Sequence, residues 1–355
     1  MKKNQTMSIF IILASLIISM EACSEKVITD TAHPANKPDS LIAFKRNVIL
    51  GRGINFGNAL EAPNEGDWGL TIKESYVQAV ADAGFNSVRL PICWSAHTSY
   101  NAPYDIDAVF LSRIDTVVNW CTRRGLATII TIHHFNDFYD NPDNVTYRSM
   151  FSAIWYQLST HYRNYDHEKL FFELLNEPHS NLTADKWNLL IPAIIKTVRN
   201  IDTERTLILD VPDYGYHGSI SKLIIPNTEI NVIVSVRYYL PYEFTHQGAH
   251  WVADSDKWLG ITWTATQAQK ATVESDMQTI KSWATLHKRP ITMGEFGAIM
   301  YADPSNRLIW TDYVTRSFES HGFSWSYFDF GVIFKAYDIE NNCWLTGFKE
   351  VLIHR

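Results

Sequence analysis

The sequence predicts a single α/β domain, a (β/α)8 TIM barrel over residues 44–355. Apolar runs of strand length alternate with stretches of helical period, and the strand-like runs are rich in β-branched and aromatic residues. Such continuous runs are typical of parallel strands that are buried on both faces. Eight repeats fit one barrel, which typically takes about 250 residues. A doubly wound open sheet is the structural alternative, but no glycine-rich dinucleotide loop follows the first strand.

The elements follow one another regularly along the chain. The apolar runs predict strands at 49–56, 87–92, 127–133, 170–175, 206–211, 230–238, 290–294 and 323–328. The helical periodicity predicts helices over about 71–83, 106–124, 146–164, 183–200, 216–223, 265–287, 304–319 and 343–353. No residues are left over for a second domain.

Residues 1–23 are predicted to be a signal peptide. Their start is positively charged, and the apolar stretch 7–20 is shorter than the roughly 20 residues that span a bilayer. Cys23 resembles the acylated cysteine of a bacterial lipoprotein, although the residues before it depart from the usual pattern; a plain secretory signal is the alternative. Residues 24–43 contain no aromatic residue and are predicted to be a flexible tether. We expect an exported protein, lipid-anchored at the bacterial cell envelope or surface, with no other membrane contact.

Composition excludes several classes of protein. The chain has 31 basic and 38 acidic residues, which argues against binding of nucleic acid because that requires a basic face. The hydrophobic share of 46% excludes a disordered chain. Three cysteines follow Cys23: Cys93, Cys121 and Cys343. Their odd number argues against a disulfide framework, and their spacing matches no zinc site, so we expect all three to be buried in the core as small apolar residues. No metal or other cofactor is expected.

Two glutamates follow apolar strands at the end of the barrel that carries chemistry. Active sites of such barrels lie at the carboxyl ends of the strands, so Glu177 after strand four and Glu295 in strand seven should face each other. A carboxyl group against an apolar wall has a raised pKa and acts as a general acid, while a second carboxylate acts as nucleophile. Glycoside hydrolysis uses two carboxyl groups in these roles. A short distance between them predicts that the anomeric configuration of the sugar is retained. Two salt bridges at the barrel rim are the alternative.

Several strings in this order resemble glycoside hydrolase family 5, especially its endoglucanase and mannanase members, over roughly residues 44–353. They are the segment 51–68, Val-Arg-Leu-Pro at 88–91, Ile-His-His at 132–134, Leu-Asn-Glu-Pro-His at 175–179, Phe-Thr-His-Gln-Gly-Ala at 244–249 and Gly-Glu-Phe-Gly at 294–297. Each string alone is weak, but their order and spacing together are specific.

The resemblance implies that Glu177 is the acid/base, that Glu295 is the nucleophile, and that Asn176 binds the sugar 2-hydroxyl beside the scissile bond. It also implies that Arg89 orients the nucleophile and that Tyr239 donates a hydrogen bond to it. The other residues that it places around the sugar chain are His133, His134, Asn58, Glu61, His246, Gln247 and Trp251. A permanently charged Arg89 would keep Glu295 ionised, as a nucleophile must be.

Some of these residues have a second interpretation. Adjacent strand residues point to opposite faces, so His133 and His134 should not share a metal, and one of them should be packed while the other lines the cleft. Trp94 and Trp325 remain open between core packing and sugar stacking.

Three positions depart from the family pattern. Arg237 stands where the family has a histidine, Phe328 stands where it has a tryptophan under the reacting sugar, and Ile-Phe-Lys at 333–335 replaces Gly-Phe-Gly. The last change should alter a cleft loop, because glycines often adopt positive φ. If Arg237 points inward, its charge should lower the pKa of both Glu177 and Glu295 and give a slow, acid-shifted enzyme. The alternative is an outward Arg237 paired with a rim acid.

The predicted activity is that of a retaining endo-β-1,4-glycanase, an endoglucanase that hydrolyses β-glucans and acts as a monomer on a β-linked polysaccharide or oligosaccharide. β-Mannan, xyloglucan and mixed-linkage glucan remain alternative substrates, since glucose and mannose differ in the orientation of one hydroxyl. From another class of protein, the alternative is a weakly active or inactive carbohydrate-binding barrel.

Overall fold

Eight parallel strands close into a barrel, as the sequence predicts. The computed structural model describes residues 41–354, so the predicted signal peptide and Cys23 lie outside the described residues. The strands stand in sequence order, and β1 pairs with both β2 and β8. They are β1 Arg52–Asn55, β2 Ser87–Ile92, β3 Ala127–Ile132, β4 Leu170–Glu173, β5 Leu207–Asp210, β6 Val232–Tyr238, β7 Ile291–Phe296 and β8 Ser324–Tyr327.

Helices surround the barrel and follow the strands. They are α1 Leu41–Leu50, α2 Glu74–Ala83, α3 Ala108–Arg123, α4 Asn136–Asp140, α5 Val145–Tyr162, α6 Ala184–Arg199, α7 Tyr242–Thr245, α8 Gln267–His287, α9 Pro304–Ser320 and α10 Phe348–Leu352. Side-chain caps define several starts: Asp107 accepts from the N–H of Phe110, and Thr266 with Gln269 forms a capping box. Such a cap contributes about 1 kcal/mol to stability.

The alternation of side chains along each strand separates two environments. Outward residues such as Ile130 and Phe172 belong to the large cluster that includes the helices. Inward residues near the amino-terminal end form a small apolar cluster with Leu50 of α1, namely Ala127, Ile129, Phe171, Ile208 and Ile233. Because side chains alternate with a period of two, the next inward positions on β4 and β5 are Glu173 and Asp210. The barrel interior is therefore apolar at one end and charged at the other.

Some element boundaries differ from the prediction. Helix α1 begins at Leu41 and runs to Leu50, so it includes the last residues of the predicted tether and the first two of the predicted first strand. The segment predicted as a helix at 216–223 is a 3-10 helix, His217–Lys222. The last predicted helix, 343–353, begins with β10 Cys343–Trp344, which pairs with β9 Tyr337–Asp338. Among residues 41–354 no helix has both the length and the apolar character needed to cross a membrane.

Candidate active site

Polar side chains from most of the strands meet at the carboxyl end of the barrel. Glu177 lies in the loop after β4 and has a φ of 45°, in the left-handed region that is uncommon for residues other than glycine. Its backbone N–H donates to Asp210 Oδ2 at 2.8 Å, while its side chain stays 21% exposed. The main chain of Glu177 is thus held by β5, and most of its side chain is buried.

Glu295 lies inside β7, and its carboxylate is held from two sides. Arg89 Nη1 donates to Oε1 at 2.6 Å, and the Tyr239 hydroxyl donates to Oε2 at 3.1 Å. An irregularity in the pairing of β6 with β7 places Arg237 directly opposite Glu295. A Cβ atom on the preceding Gly294 would overlap the guanidinium of Arg237, so glycine leaves the space that this arginine needs.

The two carboxyl groups lie close together on either side of one guanidinium. Arg237 Nε is 3.2 Å from Glu177 Oε1 and 3.7 Å from Glu295 Oε1. These oxygens are therefore at most about 7 Å apart, the sum of the two distances. The side chain of Arg237 is only 3% exposed, so it points into the barrel, and the alternative of an outward Arg237 is wrong.

Burial decides the protonation of Glu177. Burial, followed by the charge of Glu295, raises the pKa of Glu177 to about 7, although Arg237 and Arg89 act in the opposite direction. The predicted lowering of this pKa is therefore wrong. The influence of Arg237 has the predicted sign, but the loss of solvent around Glu177 outweighs it.

Arg89 is fully buried and organises the centre of the site. It donates to both oxygens of Glu173, from Nε at 2.6 Å and from Nη2 at 2.8 Å, in addition to its contact with Glu295. Burial opposes ionisation of Glu173, but the charges of Arg89 and Arg237 hold the pKa of this carboxyl at about 2. The predicted contact of Arg89 with Glu295 is present, and Glu173 is its second anionic partner.

The orientation of the Asn176 amide is fixed by two arginines. Its Oδ1 accepts from Arg89 Nη2 at 2.9 Å and from Arg237 Nη2 at 2.8 Å. Since guanidinium groups only donate, the oxygen must face them and the NH2 group must face away. Asn176 therefore presents a hydrogen-bond donor beside Glu177.

The paired histidines follow β3, which ends at Ile132. The His133 and His134 rings contact each other edge to face at 4.4 Å, so strand alternation does not separate them. His133 is buried, which lowers its pKa well below the ordinary value, while His134 is partly exposed and packs against Trp68. His133 is thus the packed residue and His134 the wall residue. Across residues 41–354, no group of three or more His, Cys, Asp or Glu side chains is arranged to hold a metal.

An aromatic wall lies on the β6–β8 side of the mouth. Phe334, the middle residue of the departing 333–335 segment, lies at its centre. Its ring centroid is 5.7 Å from Phe328, 5.8 Å from Tyr239, 5.3 Å from His246 and 6.3 Å from Trp251. Trp251 is 48% exposed, so part of its ring is open to solvent. The wall brings four predicted residues together around a phenylalanine whose role the sequence did not indicate.

Two residues expected along the cleft instead hold loops. Gln247 is completely buried; it donates to the carbonyls of Phe244 and Ile261 and accepts from the N–H of Gly260. Both oxygens of Glu61 accept backbone N–H groups of its own loop, and burial raises its pKa to about 8. The expectation that these two side chains line the cleft is thus corrected.

Asn58 joins two loops at the mouth. Its N–H donates to Glu61, and its Nδ2 donates to Asp329 Oδ2 at 2.9 Å. Asp329 in turn accepts from the N–H groups of residues 332–334. Asn58 therefore connects the loop after β1 with the loop after β8.

The structure also shows whether the two tryptophans left open by the sequence, and the three cysteines, are core residues. Trp94 is fully buried against Phe110, and Trp325 is buried and donates to Glu319, so both are core residues. Cys93 and Cys121 are buried, as predicted. The prediction is wrong for Cys343, which is exposed on the β9–β10 hairpin.

Sequence reasoning missed Glu173 and Asp210, which lie inside the charged end of the barrel. Both are the last residues of strands that are otherwise apolar. An acidic residue at an inward position of such a strand is costly to bury without a partner, and this was the available signal.

The sequence and structure comparisons with known proteins all point to one family. A sequence model of cellulase, glycosyl hydrolase family 5, matches residues 51–332. Endoglucanase H of Acetivibrio thermocellus is 34% identical over 299 residues, which is 84% of this chain and 31% of that protein. The chain thus spans about a third of the length of this curated relative.

Solved structures of similar proteins cover nearly the whole described chain. A crystal structure of Thermotoga maritima Cel5A in complex with mannotriose shares 43% identity and a TM-score of 0.85, over 88% of this chain and 100% of that chain. A structure of the same protein in complex with cellobiose has the same identity, coverage and TM-score.

Proposed function

This chain belongs to glycosyl hydrolase family 5, and we propose that it is a retaining endo-β-1,4-glucanase. The observation that carries the proposal is the pair Glu177 and Glu295, whose Oε1 atoms lie at most about 7 Å apart across the barrel mouth. Burial raises the pKa of Glu177, whereas Glu295 accepts hydrogen bonds from Arg89 and Tyr239. Retaining glycosidases place their carboxyl groups about 5–5.5 Å apart, whereas inverting enzymes need about 6.5–9.5 Å to admit a water. An upper limit of about 7 Å is compatible with the retaining spacing and excludes most of the inverting range.

In the first step, a Glu295 oxygen attacks the anomeric carbon of the sugar and forms a glycosyl ester. The bond from that carbon to the leaving oxygen breaks, and Glu177 transfers its proton to this oxygen. A pKa of about 7 keeps Glu177 mostly protonated in mildly acidic solution, as a general acid requires. Glu295 accepts from Arg89 and Tyr239, which stabilise its charged form and aim one oxygen.

In the second step, Glu177 acts as a base. It takes a proton from a water molecule, whose oxygen attacks the anomeric carbon and displaces Glu295. Two inversions at one carbon restore the original configuration. Asn176 presents its NH2 group beside Glu177, where a hydrogen bond to the sugar 2-hydroxyl strengthens as the oxocarbenium-like state forms.

The substrate proposed first is a β-glucan, since relatives named endoglucanase match this chain. β-Mannan is the second candidate, because the similar Thermotoga maritima protein has been solved with mannotriose as well as with cellobiose. Trp68 and Trp251 are both partly exposed, and an exposed indole ring can pack against the apolar face of either sugar.

A reducing-sugar assay on purified polysaccharides tests the activity. Carboxymethyl cellulose, mixed-linkage glucan, xyloglucan and linear β-mannan are compared for the wild type, Glu295→Gln and a matched control, Glu350→Gln, whose glutamate is exposed on α10. We expect the wild type and the control to release sugar from β-glucan and Glu295→Gln to lose several orders of magnitude. Equal residual rates in all three proteins would favour a carbohydrate-binding barrel, and a faster rate on linear β-mannan than on the glucans would favour a mannanase.

The proposed location is the bacterial cell envelope, through a lipid on Cys23. This part of the proposal is supported by the sequence of residues 1–23 alone. The protein would then act at the surface on polysaccharide outside the cell.

A further inference from the structure

Asp210 is a buried acid that the proposed mechanism does not use. It ends β5 and is completely buried. Its Oδ2 accepts two hydrogen bonds, from the backbone N–H of Glu177 at 2.8 Å and from Arg237 Nη2 at 2.6 Å. Its Oδ1 is the one buried carboxylate oxygen without a hydrogen-bond partner in residues 41–354. A bare carboxylate oxygen in such a place is unfavourable, whereas a protonated one can donate.

The charges around Asp210 lead to the same conclusion. Four acids surround two guanidinium groups, those of Arg89 and Arg237; the acids are Glu173, Glu177, Asp210 and Glu295. Two positive charges balance two carboxylates, and a surplus of buried charge is unfavourable. Glu173 accepts from both Arg89 and Arg237, and Glu295 is ionised as the proposed nucleophile, so these two acids carry the two negative charges. Glu177 holds one proton as the proposed general acid, and Asp210 is the remaining site for a second.

We propose that Asp210 is a neutral carboxylic acid that positions Glu177, donating through Oδ1 to Glu173 and accepting through Oδ2 from Glu177 and Arg237. The proposal rests on the proposed function, because it takes Glu177 as the acid/base. Burial raises the pKa of Asp210 well above its ordinary value, against the charge of Arg237, and the proposed hydrogen bond to Glu173 acts in the same direction as burial. That bond also lowers the pKa of Glu173, as expected when the shared proton stays on Asp210.

The functional consequence concerns the backbone of Glu177. A glutamate at a φ of 45° is held in an uncommon conformation, and the hydrogen bond to Asp210 is a direct restraint on it. An asparagine at 210 could do the same work, since its oxygen accepts the two N–H groups and its NH2 donates to Glu173. An alanine could do neither.

The kinetic test compares Asp210→Asn with Asp210→Ala over a range of pH. We expect Asp210→Asn to keep a kcat near the wild-type value with the basic limb of its pH profile unmoved, since no charge is lost. Asp210→Ala should lose about 10²-fold in kcat with little change in KM, because the acid/base is no longer held in place. If Asp210 were instead an anion, Asp210→Asn would remove a negative charge beside Glu177. The pKa of Glu177 would then fall, and a basic limb moved to lower pH would overturn the proposal.

The pH test must account for every charged or titratable group that faces these two acids. Around Asp210 they are Glu173, Glu177, Arg89, Arg237 and Tyr139. Around Glu177 they are Asp210, Glu295, Arg89, Arg237, His179, Tyr139, Tyr239 and Tyr242. Apart from Asp210 itself, none of them is changed in either Asp210 variant.

A spectroscopic test does not depend on activity. The infrared difference spectrum between Glu177→Gln and Glu177→Gln/Asp210→Asn at pH 6 should show loss of one protonated-carboxyl C=O band. Absence of this difference would overturn the proposal even if Asp210→Ala failed to fold. Full hydrolysis by Glu177→Gln would instead overturn the proposed function, and the infrared result would still report the state of Asp210.

Discussion

Replacing Glu295 with glutamine should lower the pKa of Glu177, because the charge of Glu295 is one of the two causes that raise it to about 7. The nearest oxygens are at most about 7 Å apart. At an effective dielectric constant of about 20, two unit charges at that distance repel by about 2.4 kcal/mol, which equals about 1.7 pKa units. A negative neighbour favours the protonated acid, so its removal shifts the pKa of Glu177 downward. A shorter separation would make the shift larger.

Carbon NMR of side-chain carboxyl groups, in protein labelled at glutamate, measures this shift directly. The Glu177 signal is assigned by its absence in Glu177→Gln and then titrated in the wild type and in Glu295→Gln. Glu350→Gln serves as the control, because it removes an exposed carboxylate from α10. An unchanged or higher pKa of Glu177 in Glu295→Gln would refute the electrostatic coupling on which the assignment of acid and nucleophile depends.

Three further results are expected. Arg237→His should move the basic limb of the kcat profile upward, since the guanidinium lowers the pKa of Glu177; an unmoved limb in the pH profile would contradict this. Arg89→Lys should reduce kcat by about 10²-fold, because the single ammonium group of lysine cannot replace the planar guanidinium, which donates to Glu173 and Glu295 at the same time. Urea unfolding of Arg89→Lys should also show a loss of stability, because one ammonium group cannot contact both Glu173 and Glu295. Removing the partner of a buried carboxylate costs about 3–5 kcal/mol. Cys23→Ala should release the protein from the membrane fraction, and a wild type recovered only as soluble protein would favour the plain secretory signal.

The barrel was predictable because eight apolar strands repeat along the chain with little ambiguity. The same regularity located Glu177 and Glu295, since each lies where an apolar strand ends. The inward acids Glu173 and Asp210 were harder to find, because each belongs to a strand whose apolar character dominated its interpretation. Their ion pairs with Arg237 in the folded barrel show that both side chains face inward.

Other errors arose from tertiary contacts that no local pattern encodes. Gln247 and Glu61 carry polar side chains in the expected loops, but each bonds to nearby backbone groups instead of facing the cleft. The pKa of Glu177 was misjudged because the sequence identifies Arg237 as a neighbour but does not give the extent of burial. Helix α1 replaced part of a predicted strand because Leu50 closes the amino-terminal end of the barrel interior.

The central claim is that Glu295 forms a covalent bond with the sugar while Glu177 moves the proton. A 2-deoxy-2-fluoro cellobioside with a good leaving group slows the second step, so the glycosyl ester accumulates and is located by mass spectrometry of peptides. We predict a single cellobiosyl label on the peptide that contains Glu295, and no label in Glu295→Gln. A label on Glu177, or turnover of the reagent without any labelled peptide, would contradict the claim.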